Sequence, residues 1–174
     1  MTAEVTEHDV VDNTASFDSR ELRDVLGKYA TGVAVMTTIG DENAPVGMAA
    51  NSFASVSLDP PLILWSIDLN APSIDAFRNH GSFVVNIMGE DSKDETMNFA
   101  RPSDDKFNDV DWSEGCMGAP ILNNAIAFLD CKLENRIAAG DHEILIGSVQ
   151  QINQTDGNPL LFHSGKFQKV GSEL

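Results

Sequence analysis

The chain has 174 residues, 42% of them hydrophobic, and a net charge of −16 from 11 basic and 27 acidic side chains. A chain of that length makes one domain that buries roughly 70% of its unfolded surface, with no need of a disulfide or a metal. The charge repels polyanions and argues against nucleic acid and against an anionic membrane. No apolar run approaches the roughly 20 residues of a membrane span. The first residues lack the basic and apolar regions of a secretory leader. Cys116 and Cys131 match no zinc or redox spacing, which suits a cytoplasmic protein. A phosphate-bearing ligand would have to be met by local amides, hydroxyls and one or two placed cations.

Residues 1–16 are acidic and aperiodic and read as a disordered tail. Ser16 or Asp18 caps a helix over 19–30, with Leu22, Val25, Leu26 and Tyr29 as its apolar stripe. Residues 33–39 are a short β-branched strand, and 40–45 carry turn chemistry that makes a hairpin with one long strand over 46–58. That strand alternates small or hydroxylated residues (Gly47, Ala49, Asn51, Ser55, Ser57) with larger ones. The continuous apolar run 62–67 predicts a strand buried on both faces. Asn70-Ala71-Pro72-Ser73 opens a short helix to His80, 83–88 is a strand interrupted by Asn86, and 91–101 has helical spacing. Two long strands, 125–137 and 143–153, flank Gly140-Asp141-His142, and 159–170 closes the chain. About six or seven strands without βαβ alternation predict a mainly β fold, an antiparallel barrel with peripheral helices.

Four constellations carry candidate chemistry. Ala49, Ala50, Asn51, Ser52 and Phe53 with Ser55 and Val56 make a wall that a flat ligand such as a flavin can approach, backbone N–H groups lining its polar edge. The same composition also describes small residues packed against a neighbouring strand. Ser73 at a helix start suits a phosphate, or is a plain first turn. His142 beside glycine suits a nicotinamide, or is a turn histidine in solvent. Lys166 and Phe167 offer a charge and a stacking face, or are a final strand with an outstretched lysine. The chain has no G-x-S-x-G elbow, P-loop, G-x-G-x-x-G or H-E-x-x-H, so a nicotinamide site here is not of Rossmann type. Four scattered histidines predict no metal site.

Seven segments in order, 27–38, 47–61, 83–88, 98–100, 118–122, 139–149 and 159–167, resemble the flavin reductase family and its split-barrel flavin-binding fold, and cover residues 17–170. The likeness is to the reductase components of two-component flavin-dependent monooxygenases. It implies an antiparallel Greek-key split barrel binding FMN or FAD, with NADH or NADPH as co-substrate, a homodimer, and a monooxygenase that accepts reduced flavin. By this resemblance Ala49, Ala50, Asn51, Ser52, Phe53, Ser55 and Val56 line the isoalloxazine and ribityl chain. Asn70, Ala71 and Ser73 reach the flavin phosphate, and Asn98 and Ala100 belong to a further cofactor-binding segment. His142, the one catalytic candidate, meets the nicotinamide nucleotide together with Gly165, Lys166 and Phe167. Many relatives have threonine where this chain has Ala49. Hydride transfer between two stacked rings needs near-contact of about 3–3.5 Å and no side-chain acid or base. The alternatives are a flavin-binding protein without turnover, or a flavin enzyme acting directly on an organic substrate.

Overall fold

The computed structural model describes residues 16–103 and 105–173. The tail expected over 1–16 therefore lies, Ser16 apart, outside the described residues. Helix α1 (Ser19–Leu26) starts where a capping box forms. The Asp18 carboxylate accepts from the Arg20 and Glu21 N–H groups at 2.8 Å, and Glu21 accepts from the Asp18 N–H at 3.0 Å. The helix ends at Gly27, short of the expected 30. Its apolar stripe is present but uncovered: Leu22, Val25, Leu26 and Tyr29 are 43%, 69%, 62% and 79% exposed.

Strands β1 (Thr31–Gly32) and β2 (Ala34–Ile39) follow. The long strand expected over 46–58 is two strands, β3 (Pro45–Ala50) and β4 (Ala54–Leu58), broken at 51–53. Next come β5 (Pro61–Asp68), α2 (Ile74–His80), β6 (Ser82–Met88), α3 (Lys93–Ala100), and the short pair β7 (Trp112–Glu114) and β8 (Pro120–Leu122). The chain ends with the long hairpin β9 (Ala125–Ala139) and β10 (His142–Gln154), then β11 (Leu161–His163) and β12 (Lys166–Gln168).

Seven strands form one antiparallel sheet in the order β3-β2-β6-β9-β10-β5-β4. Its two edge strands are consecutive in the chain, and only residues 51–53 join them. Four Cα steps span at most about 15 Å, whereas a flat seven-stranded sheet is about 29 Å wide. The sheet must therefore curl until its edges approach, and because β3 and β4 do not pair, the barrel stays split. The mainly β antiparallel fold read from the sequence is the one observed.

One core fills the barrel: Ala34 and Met36 of β2 meet Ile63, Trp65 and Ile67 of β5, with Phe77, Phe83, Val85 and Leu145. Trp65 lies edge-on to Phe77 and Phe83, with centroids 4.9 and 5.9 Å away. A second cluster, including Val33, Val35, Met88, Phe99, Leu122 and Leu160, packs on the opposite face of β2. Hence β2 is buried on both faces, as is β6. In β5, where that was expected, Ile63, Trp65 and Ile67 are buried and the alternate Leu62, Leu64 and Ser66 only half so. Asn86 is a buried tie rather than a break in β6. Its amide donates to the Val35 carbonyl and the Thr37 hydroxyl, both at 3.0 Å, and accepts from the Leu122 N–H at 2.8 Å. Every hydrogen-bonding group so satisfied fixes β6 and β8 against β2 at little net cost.

A candidate flavin cleft beside strand β3

Side chains of β3 divide by parity. Val46, Met48 and Ala50 pack on the barrel core, while Ala49 faces the second cluster under α3. At Gly47 a Cβ would lie 2.7 Å from Phe99 Cε1 and 3.3 Å from Phe107 Cε2. Glycine at this position thus admits the Phe99 ring, while Gly47 still lines the cleft beside β3. Phe99 and Phe107 meet edge-on at 5.1 Å. Above this floor a cleft of about 1010 Å³ opens, walled by β3, by the turn 71–73, and by residues 99–103 and 105–108.

The cleft carries two cations, Arg101 and Lys106. Lys106 Nζ donates to the carbonyls of Gly47 and Phe99, both at 3.2 Å. It thereby bridges the barrel edge and the last turn of α3, whose unsatisfied carbonyls favour a cation. Burial in the cleft pushes the Lys106 ammonium below the ordinary lysine value. Neither cation was singled out from the sequence, although one or two had been required. The available signal was that Arg101 directly follows the Asn98–Ala100 segment and that Lys106 is the single basic residue between Arg101 and Lys132.

The structure brings Ala49, Ala71, Ser73 and Ala100 together as lining of this cleft. Ser73 stands at the N-cap of α2 but its side chain makes no capping bond there; the hydroxyl donates instead to Met48 Sδ at 3.4 Å. Asn70 lies outside the lining, tied by its side chain and its N–H to the Asp68 carboxylate at 3.1 and 2.7 Å. Asn98 is exposed on α3 and also lies outside it.

Ala50 ends β3, and Asn51, Ser52 and Phe53 form the bend to β4. The Ser52 hydroxyl donates to the Ser66 carbonyl at 2.9 Å and accepts from the Ser66 N–H at 3.1 Å, so it extends the β4–β5 ladder through a side chain. The Phe53 ring is packed on the barrel core. What the bend leaves available is its backbone: none of these three amides donates to a backbone carbonyl among the described residues. Such unpaired N–H groups at a surface are open to a ligand's acceptors. Ser55 and Val56 follow on β4, both exposed, with a bulge between Ser55 and Ser57.

His142 opens β10 opposite Asp68, and the adjacent Leu69 N–H donates to the Asp141 carbonyl at 3.0 Å. This fixes the His142 turn beside the 68–70 turn. His142 Nδ1 lies 2.7 Å from the Asp141 carboxylate, which this hydrogen bond holds below the usual carboxylate range. Gly165, Lys166 and Phe167 sit elsewhere, on the β11–β12 hairpin, which is anchored by the Ser164 N–H to the Gly27 carbonyl at 2.8 Å. Lys166 is exposed, Phe167 packs edge-on against Phe162 at 5.6 Å, and none of the three lines the cleft.

This fold has relatives. The family model described as the flavin reductase like domain matches residues 26–171, and the chain belongs to that family. It is similar to the reductase subunit HsaB of a flavin-dependent monooxygenase from Rhodococcus jostii, at 39% identity over 89% of this chain and 80% of that one. It is 40% identical over 87% of its length to a probable flavin reductase of Rhizobium meliloti, and there spans about half (49%) of the relative's own length. Among solved structures, the NADH:FAD oxidoreductase SgcE6 of Streptomyces globisporus, in complex with NAD and FAD fragments, superposes with a TM-score of 0.84 at 35% identity, covering 94% of this chain and 98% of the other.

Proposed function

We propose that the protein is an NAD(P)H:flavin oxidoreductase that reduces FMN or FAD and passes the reduced flavin to a flavin-dependent monooxygenase. The observation that carries the reading is a roomy cleft lined by β3 up to Ala49, with the bend 51–53, whose amides donate to no backbone carbonyl among the described residues, just past Ala50 along the chain, in a member of the flavin reductase family. The residues present fit a flavin: an edge of backbone donors, a small Ala49 in the wall, and two cations in an otherwise acidic molecule. When bound, flavin supplies a two-electron acceptor for the hydride of a nicotinamide nucleotide. The amides of Asn51 to Phe53 donate to the ring's polar edge and favour the negative charge that reduction places there. Ser52 holds their bend rigid through Ser66. Ser73 and the 71–73 turn receive the phosphate end, and His142, fixed by Asp141, orients the nicotinamide.

Gly165, Lys166 and Phe167 lie apart from the cleft, and a homodimer that brings the hairpin of a second copy to the nucleotide accounts for their part in binding it. A homodimer also answers the exposed stripe of α1, extended by Phe17 at 53% exposure. Among the described residues, no helix is long and apolar enough to cross a membrane. The test mixes the protein with oxidised FMN or FAD and NADH or NADPH under anaerobic conditions. The flavin's visible absorbance is expected to bleach with at least one nucleotide, and no bleaching with either sinks the reading. His142→Ala is expected to raise KM for the nucleotide far more than it weakens flavin binding.

A further inference from the structure

Resting on that reading, we propose that Lys106 is the residue by which this cleft distinguishes phosphorylated from unphosphorylated flavin. Four cations of this chain are neutralised by carboxylates: Arg78 by Asp75 and Glu143, Lys132 by Glu134, Arg136 by Glu143, and Lys169 by Glu90. Lys106 differs. Its partners among the described residues are two main-chain carbonyls, of Gly47 and Phe99, which hold the ammonium in place without cancelling its charge. An ammonium has three N–H donors, so one remains for the cleft that Lys106 lines. The same cleft is lined by Ser73 and the 71–73 turn.

The charge is half-buried, where attraction to an anion is screened less than at an open surface. In a molecule of net charge −16 an approaching phosphate is otherwise repelled. Arg101 and Asp105 line the same cleft but are exposed, so they have more solvent screening than Lys106. A cation pinned in advance by two carbonyls also loses little side-chain freedom when the anion arrives. Lys106 is thus preorganised for the phosphate, and the isoalloxazine itself gains little from it.

The experiment measures dissociation constants of FMN and riboflavin, which share the ring and ribityl chain, by flavin fluorescence. Wild type is compared with Lys106→Met, which keeps the stem but has no charge or donor, and with Lys106→Arg. The proposal expects FMN to bind wild type more tightly than riboflavin, and Lys106→Met to lower that preference by about tenfold or more, the scale of one charge-assisted contact. Lys106→Arg should recover most of the preference. An unchanged preference in Lys106→Met, with either both ligands or neither weakened, overturns it. If Lys106→Met fails to fold, Lys106→Gln replaces it, and an unchanged preference in that variant overturns the proposal. A wild type that binds neither flavin defeats the reading of the cleft itself, whereas flavin binding without the Lys106 effect defeats only this inference.

Discussion

The strands on either side of the 51–53 bend share a composition of small and hydroxylated residues, yet live in opposite environments. On β3, Gly47 and Ala49 are roofed by α3 and the aromatic pair Phe99 and Phe107, and the strand forms a cleft wall. On β4, Ser55 and Val56 are open and Leu58 is 93% exposed. Small side chains on β3 are required by what packs on them, whereas on β4 they leave an edge free. Small size alone therefore does not mark a ligand wall; the neighbour's atoms decide it.

The largest effect should follow Gly47→Val. Its branched side chain enters the Phe99 ring, costing about 3 kcal/mol and lowering Tm by roughly 6–12 °C for a chain of this size. Thermal unfolding by circular dichroism reads this, and an unchanged Tm means the ring does not rest on Gly47. Ser52→Ala removes both contacts to Ser66 and leaves a half-buried backbone pair short of a partner, a loss of about 1–2 kcal/mol. Flavin affinity should fall with it, because the bend loses its anchor; chemical denaturation and a flavin titration report the two separately.

A smaller, pH-dependent contrast belongs to Lys106. Burial lowers its folded-state pKa below an unfolded value of about 10.4. The cost of burying the ammonium is thus present below the folded pKa and is relieved as pH rises through it. The cleft's charge disappears over the same range. FMN affinity relative to riboflavin should accordingly decline on the alkaline side before an ordinary lysine would titrate, and Lys106→Met should lack that decline. The smallest effect is expected on the other edge: Leu58→Ser should change the stability of an isolated subunit by no more than about 0.5 kcal/mol.

Much of this architecture was legible because its signals are local. Strands β2, β5 and β6, the hairpin of β9 and β10, and helices α2 and α3 follow from apolar runs, turn glycines and helical spacing. The division of 46–58 was not legible, since alternation continues across a change of sheet edge and says nothing of the partner strand. Strands β1, β7 and β8 have two or three residues, too few to show a period. The stripe of α1 was visible, but an apolar face reads the same whether its own core or another chain covers it. Of the residues lining the cleft, Ala49 and Ser73 were singled out from residue type and resemblance. Lys106 was missed because its meaning lies in two carbonyls, Gly47 and Phe99, that only the fold brings to it.

Backbone amide hydrogen exchange with and without FMN, read residue by residue, tests the central claim most directly. The account predicts that flavin slows exchange at Asn51, Ser52 and Phe53 more than anywhere else in the chain. Protection centred on the β9–β10 hairpin, or no protection at the bend under saturating flavin, would contradict it.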